Sequence, residues 1–249
     1  MKFVLDTHVH TIPSGHAYST IHDYIKVAKE RNLELIGITD HGPAMPGASN
    51  VFHLANQVVF PRVIEGIKVL RGAEVNIIDF AGSIDIKEER FLNNLDVVIA
   101  SFHDVCLVPG TIEENTAAFI NAMESNKYID IIGHPGNPKV PIDYVAFVDA
   151  CKKHDIIVEI NNSSFSKGSR IGSEENCITI AKLCADKGVK VIAGSDSHIS
   201  YSLGQFSHSM RVIKEAKIPE GNIMNLSVER FVNYLNKKGK PISMEEFCE

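Results

Sequence analysis

The sequence lacks several features that would place it in a broad class. Its five cysteines form no Cys-x-x-Cys pair and lie in apolar or helical contexts, which is typical of reduced thiols in the cytoplasm. No run approaches the roughly 20 apolar residues that a membrane helix needs. The opening residues, MKFVLDTHVH, have no leader pattern of charged and apolar regions. We therefore expect no secretory signal and a cytoplasmic location.

Positive charge is also scarce. The net charge is −6 over 249 residues and no basic block occurs, so we expect no long nucleic acid partner. The lack of a long apolar run leads us to expect no membrane partner. A small anionic substrate would need a locally positive site, which metal ions can supply. No linker or low-complexity tract divides the chain, and we expect one domain over residues 1–249.

Short apolar runs rich in β-branched residues predict buried parallel strands. Seven such runs occur, at residues 3–7, 35–39, 68–75, 97–101, 129–132, 156–160 and 190–193. Helical patterns alternate with them, at residues 20–31, 50–57, 87–93, 111–125, 141–154 and 173–187, and closing helices follow at 207–216 and 228–237. The helical patterns at 50–57 and 87–93 are short, which makes the third strand–helix unit the least regular. Residues 219–226, between the two closing helices, are expected to carry a short strand. Alternation of this kind predicts either an open doubly wound sheet or a barrel.

Residues that commonly bind metals recur at the ends of these runs. They are His8, His10, His41, Glu74, His103, His134, Asp196 and His198. With Asn161 in the equivalent place of the sixth run, the gaps from His8 onward are 33, 33, 29, 31, 27 and 35 residues, close to the length of one βα unit. Ligands on all but one strand favour a barrel, where they gather at one rim. We predict a distorted α/β barrel of the (β/α)7 type.

The types and number of these residues predict the chemistry. His8 and His10 are two apart on a strand and share a face, and Asp196 with His198 repeats that spacing. Imidazoles and carboxylates without thiolates suit zinc, and also manganese or iron. His16, in the loop PSGHAYS, is a ninth candidate. Nine ligands are too many for one or two ions with open positions, so we predict three divalent metal ions.

Such a cluster is strongly positive and attracts phosphate. Metal ions about 3.5–4 Å apart can activate a water molecule as hydroxide and neutralise charge on the leaving oxygen. The sequence therefore predicts a metal-dependent phosphatase that hydrolyses small phosphomonoesters through a metal-activated hydroxide.

The motifs HVH, TDHG, GAE, GHP and SDSH, with a single histidine after the fourth strand, resemble those of the PHP (polymerase and histidinol phosphatase) domain family. The resemblance covers nearly the whole chain and is strongest to the YcdX-like group of small stand-alone phosphatases. It implies a TIM-like, seven-stranded PHP barrel with a trinuclear, usually zinc, centre.

The resemblance also implies an assignment of ligands to ions. His8, His10, Glu74 and Asp196 would hold one ion. Glu74 would bridge to a second ion held by His103 and His134. The third ion would be held by His16, His41 and His198.

Other polar residues near the motifs are candidates for substrate contact or for orienting the ligands. Asp104 could protonate the leaving alcohol, and Lys167 and Arg170 could bind the phosphate. Asp6, Asp40 and Asp104 adjoin ligands and could orient their imidazoles, and Asp6 and Asp40 could instead cap loops. The remaining histidines are expected at the surface or at helix ends: His22, His53, His154 and His208.

Several alternatives stay open at this point. Within the same chemistry, the substrate could be histidinol phosphate or a nucleotide, and a nuclease is a further option. An amidohydrolase barrel also starts with His-x-His, but it commonly has a lysine after the fourth strand, where this chain has Ser101, Phe102 and His103. A non-catalytic metal-binding module is the alternative from a different class.

Overall fold

The computed structural model describes residues 1–165, 170–240 and 242–247. Within these residues, seven parallel strands follow one another around a nearly closed barrel, with helices outside it. The strands of the barrel are β1 (Leu5–Val9), β2 (Leu35–Ile38), β4 (Ile67–Asn76), β5 (Val97–Ser101), β6 (Ile131–Ile132), β7 (Ile157–Asn161) and β8 (Val191–Gly194). A two-residue strand, β3 (Val63–Ile64), pairs antiparallel with β4. The predicted distorted α/β barrel is confirmed.

The helices in the described residues are α1 (Ile21–Glu30), α2 (Val51–Ala55), α3 (Glu89–Leu92), α4 (Ile112–Ser125), α5 (Tyr144–Lys153), α6 (Ser173–Lys187), α7 (Ser207–Glu215) and α8 (Val228–Lys237). Five of these eight helices, α1, α2, α4, α5 and α8, begin after a side chain that caps them. Thr20 and Thr111 form capping boxes at α1 and α4, which satisfy backbone N–H groups that have no partner within the helix. Asp143 accepts hydrogen bonds from the backbone of Val145 and Ala146, so α5 starts after the expected Pro141.

The stretch before the last helix differs from the prediction. Residues 219–226 form two 3₁₀ turns, Glu220–Asn222 and Met224–Leu226, and not the expected short strand. Only Ile223 between them forms a β-bridge, to Val191. The turns bring Asn225 into the gap between β1 and β8.

Asn225 completes the barrel at this gap, where β1 and β8 share no regular ladder. Its backbone carbonyl accepts a hydrogen bond from Val4 N at 2.9 Å. Its side-chain amide accepts from Ala193 N at 2.7 Å and donates to Ala193 O at 2.8 Å and Leu5 O at 3.1 Å. The buried amide therefore takes the place of a missing strand for both neighbours.

Replacing Asn225 by alanine is expected to destabilise the fold. The change would leave buried backbone groups of Ala193 and Leu5 without partners, and we expect the free energy of unfolding to fall by about 3 kcal/mol. Denaturant titration measures this loss. Asn233→Ala on the exposed face of α8 is the matched control, with an expected change within about 0.5 kcal/mol. Equal effects of the two substitutions would contradict the closing role of Asn225.

The lower half of the barrel interior is an apolar floor. Every barrel strand contributes a large buried side chain to it: Leu5, Leu35, Leu70, Ile99, Ile131, Ile157 and Ile192. Phe231 and Leu235 of α8 pack against this floor, so the barrel interior is filled below its carboxyl-terminal rim. The histidines and acidic residues of the sequence motifs lie above this floor, at the rim where α/β barrels keep their active sites.

Two further sequence predictions concern the whole chain. No helix within the described residues is long and apolar enough to cross a membrane. Four of the five cysteines are free thiols: Cys106, Cys151, Cys177 and Cys184. Cys248 lies outside the described residues.

Candidate metal centre

The carboxyl-terminal rim of the barrel gathers all nine predicted ligands. Each lies on a strand or in the loop directly after it: His8 on β1, His10 and His16 after β1, His41 after β2, Glu74 on β4, His103 after β5, His134 after β6, and Asp196 and His198 after β8. Seven of the nine side chains are less than 15% exposed, whereas His198 is 28% exposed and His16 is exposed. Residues that recur once per βα unit in the sequence therefore lie close together in the structure.

A bulge in β1 turns both histidines of the HVH motif into the barrel. Asp6 pairs with Ile36 and Val9 pairs with Ile38, so three steps along β1 match two along β2. Without the extra residue, His8 would lie on the opposite face from the floor residue Leu5, because strand residues alternate in direction. β-Bulges of this kind re-aim side chains next to active sites.

Glu74 lies at the middle of the cluster and is fully buried. Five imidazoles surround its carboxylate: His8 Nε2 lies 3.3 Å, His134 Nε2 2.9 Å and His103 Nε2 3.5 Å from Oε1, and His10 Nε2 lies 3.4 Å and His41 Nδ1 2.8 Å from Oε2. Ser101 also donates a hydrogen bond to Oε1 at 2.6 Å. A carboxylate in this position can contact more than one ion.

The opposite wall of the cluster is formed by Asp196 and the two outer histidines. His10 Nε2 lies 3.3 Å and His8 Nε2 3.6 Å from Asp196 Oδ1. His198 Nε2 lies 3.0 Å from His16 Nε2. Two imidazole nitrogens thus face each other at this edge of the cluster, and His198 Nδ1 lies 3.5 Å from Asp196 Oδ1.

The donor atoms fit divalent metal ions. Within the described residues, His8 Nε2, His10 Nε2, both nitrogens of His41 and Glu74 Oε2 are buried and have no hydrogen-bond partner. Three overlapping groups have ligand atoms within 4.8 Å of one another: His8, His10 and Glu74; His41, Glu74 and His103; and His10, His41 and His198. Buried polar atoms without partners are costly, and coordination of a cation would satisfy all of them.

Electrostatics keep most of these groups in the ionisation state that binds metal. Burial would raise the pKa of Glu74, but the surrounding imidazoles, His8 first, hold that pKa well below its usual range. Burial opposes ionisation of Asp196 too, and Arg170 holds its pKa well below the usual range. Burial lowers the pKa of His10 and of His103 well below the usual range. Both carboxylates are therefore ionised, and these two imidazoles are neutral, at neutral pH.

His8 differs from the other buried histidines in its electrostatics. Burial lowers its pKa, but the negative charges of Glu159, Glu74 and Asp196 together raise that pKa well above its usual value. His8 thus carries a proton when no metal ion is bound. Binding of an ion must displace this proton from Nε2, because Nδ1 lies against Glu159 at 2.6 Å.

Glu159 is a functional residue that the sequence reasoning missed. It lies on β7 with its side chain inside the barrel, where Oε1 contacts His8 Nδ1 and Oε2 accepts a hydrogen bond from His134 N at 2.9 Å. Asn161 Nδ2 donates hydrogen bonds to Glu159 Oε2 at 3.0 Å and to Asp196 Oδ2 at 3.2 Å, and so connects the two carboxylates. One carboxylate thereby orients three ligands. The sequence does mark this position, because Glu159 is the single charged residue in the middle of the apolar strand IVEIN.

Replacing Glu159 by glutamine is expected to weaken metal binding by about 10- to 100-fold, as for other outer partners of ligating histidines. The fold should persist, because glutamine matches the shape of glutamate. Competition with a chromophoric chelator measures the affinity. Glu113→Gln, in the exposed first turn of α4, is the control and should bind metal as the unchanged protein does. Unaltered affinity in the Glu159 variant would contradict the orienting role.

Glycines make room for the polar layer above the apolar floor. Gly194 lies so close to Glu159 that a Cβ atom would fall 1.9 Å from Oε1, and at Gly133 a Cβ atom would fall 2.3 Å from Ser101 Oγ. Neither position can hold a larger residue without displacing a group that contacts a ligand. The motifs GHP and AGSD therefore combine a ligand with the space that its neighbours need.

Asp40 orients His10 through a serine. Its carboxylate accepts hydrogen bonds from Thr11 N, Thr11 Oγ1 and Ser14 Oγ, each at 2.6 Å, and Ser14 Oγ lies 3.2 Å from His10 Nδ1. His53 Nε2 lies 3.2 Å from Asp40 Oδ2. His53 was expected only at the surface or at a helix end, and it also supports this network.

Two other predicted aspartates lie away from the metal-facing atoms. Asp6 accepts hydrogen bonds from Ser195 N at 3.2 Å and Gly204 N at 2.8 Å, so it caps loops, one of its two predicted roles. Asp104 lies at the surface and pairs with Lys139 Nζ at 2.8 Å. Its role as a proton donor stays a prediction.

Arg170 lies beside the centre. Its guanidinium pairs with Asp196 Oδ2, and its Nε is buried without a partner among the described residues. Asn161, whose run lacks a ligand, accepts a weak hydrogen bond from Arg170 at 3.4 Å. Lys167 lies outside the described residues.

Comparison with known proteins identifies the family. Residues 6–168 match the PHP domain. A probable phosphatase of Acetivibrio thermocellus is 48% identical over 242 residues, which cover 97% of this chain and 99% of that protein. A probable phosphatase of Thermoanaerobacter sp. strain X514 is 51% identical over 247 residues, which cover 99% of this chain and all of that protein.

A solved structure with the same fold is the histidinol phosphate phosphatase of Lactococcus lactis, crystallised with zinc, L-histidinol and phosphate. It aligns with a TM-score of 0.60 at 18% identity over 88% of this chain and 95% of that one, a likeness that concerns the fold alone. The family match and the full-length relatives agree with the motifs at the rim. The chain therefore belongs to the PHP domain family of hydrolases.

Proposed function

We propose that this protein is a phosphatase that hydrolyses small phosphomonoesters at a centre of three divalent metal ions, with zinc the first choice and manganese or iron the alternatives. The observation that carries the proposal is the convergence of nine candidate ligands at one rim of the barrel, where five imidazoles face the buried carboxylate of Glu74. The full-length relatives named probable phosphatases support the reaction class. The absence of a basic block argues against long nucleic acids as substrates.

The chain's own residues supply the frame of the reaction. His8, His10, Glu74 and Asp196 would hold one ion, Glu74 with His103 and His134 a second, and His16, His41 and His198 the third. When bound, these ions would supply positive charge for the phosphoryl group and would lower the pKa of water. The protein holds the ligands in place through Glu159 and Asp40, so little reorganisation is needed when substrate arrives.

Arg170 is the proposed phosphate-binding side chain, with Lys167 as a second candidate. Its planar guanidinium suits phosphate oxygens, and Arg170 lines the cavity that also contains His103 and His198. Its Nε is buried and has no hydrogen-bond partner among the described residues. Asp196 holds it in place when no phosphate is present. Asp104 is proposed as the donor of a proton to the leaving alcohol, after release from Lys139.

Phosphate release from a panel of phosphomonoesters by metal-loaded protein tests this proposal. Arg170→Gln is expected to lower kcat/KM by about 100-fold, because a charge-assisted contact to phosphate is lost. Arg211→Gln, which removes an exposed arginine paired with Glu174 on the outer helices, is the control and should leave kcat/KM unchanged. Absence of phosphate release from the whole panel, with metal bound, would contradict the proposal.

A further inference from the structure

The cavity above the metal centre is larger than a phosphoryl group needs. Its volume is about 600 Å³. The part next to the metal centre, the inner compartment, is lined by histidines of the centre with Asp196 and Arg170. The remaining walls are formed by Met45, Pro46, Val105 and Ile199, together with two serines, Ser163 and Ser202. The cavity therefore has a polar compartment for the phosphate and a second, largely apolar compartment for the rest of the substrate.

The apolar walls come from three separate loops of the rim. Met45 and Pro46 follow β2, Val105 follows β5 and Ile199 follows β8. Val105 is 62% exposed and Ile199 is 41% exposed, although both are aliphatic. Exposed aliphatic side chains that converge on one cavity mark a binding surface, and their spread over three loops places them on different sides of the substrate.

The charges of the described residues at and beside the walls are already paired. Among the described residues that line the cavity, Asp196 is the only carboxylate and Arg170 is the only lysine or arginine, and these two pair with each other. Asp104, next to Val105, pairs with Lys139. A charged group on the substrate's alcohol part would thus lose water at these walls without gaining a counter-charge.

We propose that the alcohol part of the substrate is uncharged and apolar, an alkyl or aryl group, and that Val105 and Ile199 select it. This inference rests on the proposed function, because the phosphoryl group must occupy the inner compartment for the alcohol part to reach the walls. It separates this protein from enzymes whose substrates carry an ammonium group or a sugar beside the phosphate.

Alkylphosphonates test the inference without turnover, because their C–P bond is not hydrolysed. Binding of ethyl-, propyl-, butyl- and pentylphosphonate to metal-loaded protein is measured by calorimetry. The dissociation constant is expected to fall about threefold with each added methylene. Pentylphosphonate is expected to bind at least about tenfold more tightly than 4-aminobutylphosphonate, which has the same length and a terminal ammonium.

Substitutions of wall residues test whether Val105 and Ile199 cause the preference for apolar groups. Val105→Ala and Ile199→Ala are each expected to weaken pentylphosphonate binding about three- to tenfold and to leave ethylphosphonate binding unchanged. Val105→Asp is expected to narrow or reverse the preference for pentylphosphonate over 4-aminobutylphosphonate, because the new carboxylate can pair with the ammonium group. Val145→Ala, at a position of α5 that is 51% exposed outside the cavity, is the control and should change nothing.

The outcomes separate this inference from the proposed function. Equal binding of the two five-atom phosphonates, or a preference that the wall variants do not alter, would overturn the inference. If the phosphonates bind with the expected preference but metal-loaded protein releases no phosphate from any ester, the inference stands and the proposed phosphatase activity fails.

Discussion

Glu74→Gln is expected to reduce metal-dependent phosphate release by about a thousandfold or more. This carboxylate faces five imidazoles in the buried centre, and it is the group placed to contact two ions. A glutamine in its place is neutral and turns an N–H₂ group toward part of the cluster. Loss of about 4 kcal/mol of charge stabilisation at a metal site corresponds to this factor in rate.

The comparison needs a folded variant and a matched change. Circular dichroism and denaturant titration establish that the Glu74 variant is folded, as expected from the unchanged size of the side chain. Glu89→Gln makes the same substitution on α3, where the side chain is 69% exposed, and should retain full activity. A Glu74 variant that is folded and keeps more than a tenth of the activity would refute the central place of this residue.

Activity is also expected to fall about 100-fold as the pH decreases from about 7 to about 5, the range in which histidines ionise. Metal ions bind neutral imidazoles, so protons compete with metal at histidine ligands other than His10 and His103, whose pKa values are held low by burial. The first ligand to be protonated is His8, because the carboxylates of Glu159, Glu74 and Asp196 outweigh burial and raise its pKa well above the usual value. The carboxylate ligands stay ionised in this range, since the pKa of Glu74 and that of Asp196 are held well below their usual values.

A pH profile of kcat/KM at a fixed concentration of free metal measures this loss. Because protons and metal compete, a higher concentration of free metal should move the acid limb to lower pH. A profile that is flat down to pH 5, or an acid limb that does not move with metal concentration, would contradict competition at the histidines.

Much of the barrel and its ligands follows from local sequence pattern. β5 and the helices α6 and α8 begin and end where predicted. The regular recurrence of metal-binding residue types at the ends of the apolar runs predicted that these residues lie at one rim. This was possible because parallel strands put the residue after each run at the same end of the barrel. Residue type and spacing along the chain are enough to predict these positions, and no knowledge of long-range contacts is needed.

The contacts across the barrel could not be predicted in this way. The bulge in β1 depends on how it pairs with β2. The contact of Glu159 with His8 joins residues 151 positions apart, and Asn225 reaches Leu5 across 220 positions. Contacts of this kind depend on how the strands pack in three dimensions. In the sequence they are indicated only weakly, for example by one charged residue in an apolar strand.

The most direct test of the account measures bound metal and activity on the same sample. Elemental analysis of the purified protein should find divalent metal ions, up to three per chain after reconstitution with zinc. Removal of the ions with a chelator should abolish phosphate release, and their return should restore it. Protein that hydrolyses phosphomonoesters with no bound metal, or that takes up no metal although its nine ligands are intact, would contradict the account.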